Sequence, residues 1–323
     1  MKEIDAVITW VNGNDPVHKA KRDKYGSSSI FRSEDVAATT RFSDLGEIFW
    51  CVASLNIFAP FLRKIHIVTD EQNPDLDEFL QHKFPNGHIP VEIIDHKTIF
   101  KGYEQYLPTF NSVALETMTW RIPGLSEHYI ELNDDFMLCA PITPEDFFTE
   151  DGKLVCYALK FNMFWTWLTR KIKPKRDGRT KVTFKGLMMN AAKLANQKYW
   201  FLKLNHTPRA LSRSFFEKYY AEHPESMIRN IQHRFRNADQ FTPEELQYLL
   251  QYRSGNCIVK PVKGNLFFLQ PKNKQNYVQN KLEKLRNDKT CKFCCFNSID
   301  LASEEDRKSI LNWIEERLGI TLD

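Results

Sequence analysis

Apolar and polar positions along the first half of the chain fall into blocks of two kinds. Asp5 to Val11 (D-A-V-I-T-W-V) is a short β-branched run, read as a buried strand and closed by the turn formers Asn12-Gly13-Asn14-Asp15-Pro16. The polar stretch through Ser27-Ser28-Ser29 reads as a loop. Leu45, Ile48, Phe49, Val52 and Leu55 then recur at helical spacing, with Ser43 or Asp44 available as N-cap. Lys64 to Thr69 reads as a second strand, Asp75 to His82 as a short helix and Val91 to Asp95 as a third strand. Asn111 to Trp120 reads as a helix. Tyr129 to Leu132 reads as a fourth strand that stops at Asn133-Asp134-Asp135. Pro141, Pro144, Glu145 and Asp146 start a helix or turn, and Lys153 to Leu159 a further strand. Strand and helix alternating in this way predict an α/β protein built on a mostly parallel sheet.

The pattern changes after residue 160. Phe161 to Leu168 (F-N-M-F-W-T-W-L) is aromatic, and Arg170 to Lys185 is strongly basic. The basic run is either a solvated loop or a patch for anionic partners. The aromatic run either packs into the core, the leading reading, or touches a membrane surface. Helices dominate afterwards. Pro208 to Ala221, Pro224 to Phe235 and Pro243 to Arg253 each begin at a proline, a favoured first helical residue. Lys272 to Lys289 is polar and expected to be exposed. Asp300 to Leu318 is an amphipathic helix, with Ser303 as N-cap. The expected organisation is an α/β nucleotide-binding core over 1–160, a basic and aromatic insertion over 161–200 and a mainly helical portion over 201–323 that completes the site.

Composition narrows the class. The chain has 323 residues, 42% of them hydrophobic, with 24 Phe, 11 Tyr and 7 Trp, which is ample for a core. The net charge is only +4, which argues against a dedicated nucleic-acid binder. No apolar run reaches the ~18–20 residues a bilayer span needs, and the opening Met-Lys-Glu-Ile-Asp does not read as a signal peptide. The expected location is cytoplasmic, peripheral at most to the inner face of the plasma membrane. The 7 cysteines are then expected to be reduced. Cys51, Cys139, Cys156 and Cys257 read as small buried hydrophobes. Cys291, Cys294 and Cys295 form C-K-F-C-C, but no second ligand pair stands out, so a zinc site is not expected there.

Ligands of open α/β sheets bind beyond the carboxyl ends of the strands. Two such ends are unusually polar, Trp10-Val11-Asn12-Gly13 and Leu132-Asn133-Asp134-Asp135. Adjacent carboxylates after a hydrophobic strand raise each other's pKa unless something positive neutralises them. A hard divalent cation that also grips a diphosphate would do so. The competing reading is a cap or a surface turn. Arg41, His206, Arg234 and Arg236 lie near helix starts or in loops and could be ordinary salt bridges or caps. Together they also supply what phosphoryl transfer asks for, cations around developing charge and a base near a hydroxyl.

On these residues the chain resembles the Stealth family. That family includes bacterial capsule hexose-1-phosphate transferases and the animal enzyme that builds the mannose-6-phosphate tag of lysosomal proteins. The resemblance rests on I-D-A-V-I-T-W-V-N-G-N-D-P from Ile4, on R-F-S-D-L-G-E from Arg41 through A-P-F-L-R-K-I-H-I-V-T-D and L-P-T-F-N-S-V-A-L-E, and on R-I-P-G-L-S-E-H-Y-I-E-L-N-D-D-F ending at Phe136. It continues in N-H-T-P-R-A-L, R-F-R-N-A-D-Q-F and F-N-S-I-D. The last block departs from the family pattern, with Ser298 where an aspartate is usual and Asp300 as the nearest substitute.

The resemblance implies a Rossmann-like, glycosyltransferase-A-like nucleotide-binding core. It also implies transfer of hexose-1-phosphate or N-acetylhexosamine-1-phosphate from a UDP-sugar to a hydroxyl of a free or lipid-linked glycan, releasing UMP. By the same resemblance, Asp134, Asp135 and Asn297 would hold Mg2+ or Mn2+, and Arg236 and Arg41 would stabilise charge. His206 would take the acceptor proton, with Asp44 and Glu116 in reserve. Trp10, Asn12, Gly13, Arg41 and Thr69 would face the nucleotide. Two other readings stay open: a metal-dependent glycosyltransferase releasing UDP, and a non-catalytic glycan- or membrane-binding protein.

Overall fold

The computed structural model describes residues 3–26, 45–172, 182–288 and 290–322. Its centre is a five-stranded sheet in the order β3-β2-β1-β4-β8, made of β1 (Ile4–Thr9), β2 (Lys64–Thr69), β3 (Val91–Asp95), β4 (His128–Asn133) and β8 (Arg209–Ser212). The first four strands pair in parallel and β8 closes the edge antiparallel to β4. The apolar runs read as strands are buried on both faces, as a parallel sheet covered by helices requires. The chain is thus α/β around a mostly parallel sheet, with helices prevailing after residue 212.

Two small sheets flank the main one. β5 (Phe136–Leu138) follows β4 after a two-residue turn and joins β10 (Leu266–Leu269) and β11 (Phe293–Phe296) in the order β10-β11-β5. β6 (Leu154–Asn162), β7 (Trp200–Leu204) and β9 (Cys257–Lys260) form the third, in the order β7-β6-β9. One hydrophobic cluster runs from Ile4 through Met188, Phe201 and Phe293 to Leu318, so all three expected portions of the chain share a core.

The amino end of the sheet is pinned by a buried charge. Asp5 is fully buried and accepts from Arg63 Nε at 2.8 Å, from Arg63 Nη2 at 2.5 Å and from the Ser126 amide at 2.8 Å, with His66 Nε2 at 3.3 Å. Burial alone would raise its pKa, but these partners outweigh it and hold the carboxyl well below the usual range.

Several local expectations give way to tertiary demands. Pro208 does not start a helix: Arg209–Ser212 is β8, and the helix begins at Arg213. Register places Arg209 opposite Glu131 of β4, and that pairing outweighs local propensity. The helix expected from Asn111 shrinks to Ser112–Glu116 and a 3-10 turn at Thr119–Arg121. Thr117 Oγ1 there donates to the Val113 carbonyl at 2.6 Å, and the Met118 amide closes a tighter bond onto Leu115. The aromatic run is not wholly core: Met163 is buried, but Phe164 and Trp165 are 59% and 63% exposed. The polar segment after Lys272 contains the helix Tyr277–Asn287, which buries Val278, Leu282 and Leu285. Ser303 caps the last helix, Glu304–Leu318, as expected, accepting from the Asp306 amide at 3.1 Å. The proposed Ser43 and Asp44 cap, the serine loop at 27–29 and most of the basic run (173–181) lie outside the described residues. Among the described residues no helix is long and apolar enough to cross a membrane.

Candidate active site

β1 and β4 lie side by side and end in register, Thr9 opposite Asn133. Beyond these ends opens a cavity of about 560 Å³. Its lining includes Trp10 after β1, Asp134 and Asp135 after β4, His206 between β7 and β8, Arg236 before the helix Pro243–Arg253, and Asn297 after β11.

Asp135 sits where the main sheet passes into the second one. Its carbonyl accepts from the Phe296 amide at 3.1 Å, which ties β11 to the turn. Its carboxylate Oδ2 accepts from Asn297 Nδ2 at 3.1 Å and lies 3.4 Å from Cys295 Sγ. Oδ1 is buried and has no hydrogen-bond partner. Burial raises the Asp135 pKa, while Asn297, His206 and Cys295 act against it. An orphaned carboxylate oxygen beside Asp134 is costly without a positive or donating group. An all-oxygen set of carboxylate and amide groups suits a hard divalent cation. The residues present therefore fit such an ion, with Asp135 and Asp134 as carboxylates and Asn297 as a neutral neighbour. Asp300 faces the same cavity, its pKa raised by burial.

His206 is set by aromatic walls. Its ring lies 4.7 Å from the Phe268 ring and meets Phe136 edge-on at 6.2 Å, centroid to centroid. The residue is exposed and lines the cavity. Burial lowers its pKa below the usual 6.5, while the Asp135 charge pulls it back up. The ring is thus mainly a free base at neutral pH. Arg236 lays its guanidinium over Phe184 at 5.6 Å and donates from Nη2 to Ser112 Oγ at 2.8 Å, so it is steered into the cavity wall.

A buried ionic cluster adjoins the cavity, and its Arg209 and Glu116 belong to the lining. β8 supplies Arg209, β4 supplies Glu131, and the helices Ser112–Glu116 and Pro243–Arg253 supply Glu116 and Glu244. Arg209 Nη1 bonds Glu244 Oε1 and lies 3.7 Å from both Glu116 and Glu131. Three carboxylates cannot all ionise against one buried cation. Burial and the Glu244 charge accordingly push Glu116 up to about 7, and Glu131 well above its usual value. Glu116 reaches the cavity and keeps one oxygen, Oε2, buried and unpartnered.

Glu116 carries a pH signature. Its ordinary value is 4.5 and its folded value about 7, so between these the native chain keeps a proton the unfolded chain gives up. Stability is expected to fall as pH rises through that window, by on the order of 3 kcal/mol for a shift of this size. Glu116→Gln removes this residue's titration and should reduce the slope in urea melts taken from pH 4.5 to 7.5, leaving the part that Glu131 contributes. Equal slopes in the two proteins would mean that Glu116 titrates normally.

The cavity therefore gathers His206, Asp134, Asp135, Asn297, Arg236, Glu116 and Trp10. It does not gather the rest. Asn12 and Gly13 are not in its lining: the Asn12 amide donates to Gln72 Oε1 at 2.8 Å and Gln72 Nε2 donates back to the Asn12 carbonyl at 3.0 Å. Thr69 is buried at the end of β2, away from the lining. Arg234 is spent on the Pro108 carbonyl at 2.7 Å and on the Tyr25 ring. Arg41 and Asp44 lie outside the described residues.

Sequence reasoning missed Arg209, His96, His18 and Glu47, all in the lining. Arg209 stood two residues after Thr207 in the quoted N-H-T-P-R-A block, hidden by the helix reading. His96 directly follows β3, a strand end that the same carboxyl-end argument covers. It is fully enclosed, both ring nitrogens lack partners, and burial holds its pKa at about 4.

The fold and cavity define a class: an open-sheet α/β protein whose strand ends present carboxylates, an imidazole and guanidinium groups to one polar ligand site. The chain belongs to the Stealth family: residues 2–30 match Stealth protein CR1, conserved region 1, and residues 41–156 match Stealth protein CR2, conserved region 2. It is 32% identical to an exopolysaccharide phosphotransferase of Streptomyces coelicolor over 270 residues, 80% of this chain and 42% of that protein. It is 36% identical to the receptor polysaccharide phosphotransferase WefC of Streptococcus oralis over 152 residues, 47% of this chain and 43% of that one. Against the capsular polysaccharide phosphotransferase fcs1 of Haemophilus influenzae it is 29% identical over 309 residues, 91% of this chain and 78% of the relative. The chain thus spans about two fifths of the length of the first two relatives. Among solved structures it is similar to galactosyltransferase LgtC in complex with donor and acceptor sugar analogs, at a TM-score of 0.42 and 13% identity, covering 97% of this chain and 95% of that one. Mouse xyloside xylosyltransferase 1 matches at a TM-score of 0.40 and 11% identity, covering 91% and 98%.

Proposed function

We propose that this protein transfers hexose-1-phosphate or N-acetylhexosamine-1-phosphate from a UDP-sugar to a hydroxyl of an acceptor glycan in bacterial capsule or cell-surface polysaccharide synthesis. A phosphodiester forms and UMP is released. The observation that carries this reading is that His206, Asp135 and Arg236 line one cavity beyond the ends of β1 and β4. The names of its relatives, all polysaccharide phosphotransferases, support the same class of reaction.

In this reading the acceptor hydroxyl attacks the β-phosphorus in line and its proton passes to His206. The new bond is oxygen to phosphorus. The bond that breaks joins the β-phosphorus to the bridging oxygen, which departs on UMP with its electron pair. A neutral imidazole suits the base role, because its pKa lies below neutrality and the Asp135 charge stabilises the imidazolium that forms. Arg236, with Arg209 behind it, offers positive charge to the phosphoryl oxygens. Trp10 walls the nucleotide side. A divalent cation such as Mg2+ held by Asp134 and Asp135 would neutralise diphosphate charge. Glu116 is the reserve proton acceptor.

A nucleotide-sugar donor goes with a cytoplasmic site, and a lipid-linked acceptor with contact at the inner membrane face. Exposed Phe164 and Trp165, with Lys160 and Lys203 on the neighbouring strands β6 and β7, support such contact.

The test is a panel of UDP-sugars carrying labelled phosphorus in the β position, offered with purified acceptor oligosaccharides. Label in the glycan together with UMP supports the proposal; UDP release with unlabelled glycan sinks it. In the same assay His206→Ala should lower turnover about 10²–10⁴-fold, the usual worth of a general base, with donor affinity nearly unchanged. A variant that loses only donor affinity would make His206 a binding residue.

A further inference from the structure

Three thiols converge on the side of the second sheet away from the cavity. Cys291 and Cys294 come from the C-K-F-C turn into β11, and Cys139 follows β5. Cys294 Sγ lies 3.0 Å from Cys139 Sγ, and Cys139 Sγ lies 3.8 Å from Cys291 Sγ. All three sulfurs fall within 4.8 Å of one another and all three residues are buried. The sequence lacked a second cysteine pair to complete Cys291 and Cys294; the fold supplies Cys139 from more than 150 residues away instead.

We propose that Cys139, Cys291 and Cys294 form a binding site for a thiophilic cation, zinc, which fastens β5 to β11. Zinc–sulfur bonds of about 2.3 Å around one ion set sulfurs roughly 3.8 Å apart; the Cys139–Cys291 spacing of 3.8 Å matches this, and the Cys139–Cys294 spacing of 3.0 Å would widen as the ion enters. A disulfide would use two of these sulfurs and strand the third in the core. Two ligands at C-x-x-C spacing make the usual zinc half-site, and soft thiolates select such ions over magnesium. Among the described residues no fourth histidine, cysteine or carboxylate joins the three, so the remaining position falls to water or another small ligand.

The site has a structural consequence. Cys139 donates its amide to the Lys292 carbonyl at 2.9 Å, and the ladder continues through Leu138 opposite Phe293 to Phe136 opposite Cys295. At its other end Asp135 meets Cys295 and Asn297. A metal clamp at the thiols therefore fixes the register that delivers Asn297 to Asp135. This inference does not rest on the transferase reading, and its test uses no turnover.

The experiment titrates Co2+ into the full chain, purified metal-free under reducing conditions, and follows the thiolate-to-cobalt charge-transfer band. The band should saturate at one equivalent, zinc should abolish it, and Asp135→Asn should keep it, which separates it from any ion in the cavity. Cys139→Ser and Cys294→Ser should weaken binding at least 100-fold, whereas Cys156→Ser should not. Should the serine variants fail to fold, X-ray absorption of the zinc-loaded wild type decides, with three sulfur neighbours expected at about 2.3 Å. No band, a band that survives Cys139→Ser, a shell of oxygen and nitrogen alone, or a Cys139–Cys294 disulfide in metal-free protein would each overturn the proposal.

Discussion

Asp135→Asn is expected to reduce the proposed sugar-phosphate transfer by about 10²–10³-fold, the scale seen when one preorganised electrostatic group is removed from an active site. The substitution keeps shape. Asn297 Nδ2 and Cys295 now approach Oδ2 at 3.1 and 3.4 Å, and an amide oxygen can take the same place. Urea midpoints should therefore stay near wild type while turnover collapses. Chelation of divalent cations should produce the same loss, and added chelator should have little further effect on the variant. The pH profile supplies an independent readout. The Asp135 charge raises the His206 pKa against the lowering effect of burial. With that charge gone, the acid limb of the residual activity should move to lower pH. Full activity in Asp135→Asn would remove both the cation and the electrostatic role.

Arg209→Met is expected to be strongly destabilising, by about 3–5 kcal/mol. Arg209 is 6% exposed and is the cation that Glu116, Glu131 and Glu244 all face. Removing one partner of a buried ionic group leaves the others uncompensated, which costs more than the pair was worth. The loss should grow as pH rises past 7, where Glu116 would otherwise ionise. A second variant separates charge from packing: adding Glu244→Gln to Arg209→Met should recover part of the loss. The readout is the urea midpoint at constant slope. A wild-type midpoint for Arg209→Met would mean that the cluster holds no net charge worth balancing.

The two predictions draw on different parts of the sequence record. Asp135 was legible. It follows an apolar strand, and a polar cluster at a strand's carboxyl end has a ready functional reading. The first four strands were legible for a related reason. Their β-branched runs are local, and each is bounded by turn formers. Trp10, His206 and Arg236 stood in motifs that the family resemblance singled out, and the cavity holds all three. Arg209 was not legible. Its local signal, a proline start, pointed to a helix, whereas its strand pairs with β4, some 80 residues earlier. The same blindness concealed the thiol cluster, whose third member joins across the β5 and β11 ladder. Asn12, Gly13 and Thr69, which the resemblance sets at the nucleotide, are not among the residues that line the cavity.

What the sequence determined by itself is the alternation of strands and helices, the parallel sheet and the chemical character of its carboxyl edge. Those follow from periodicity and turn chemistry, which act over a few residues. What only the tertiary structure decided is which charges meet. Three glutamates and one arginine from four elements are buried together, and Asp135 and His206 are brought to one cavity. Such contacts are fixed by strand register and helix docking, and the desolvation that gives each group its altered pKa exists only once the chain has closed around it.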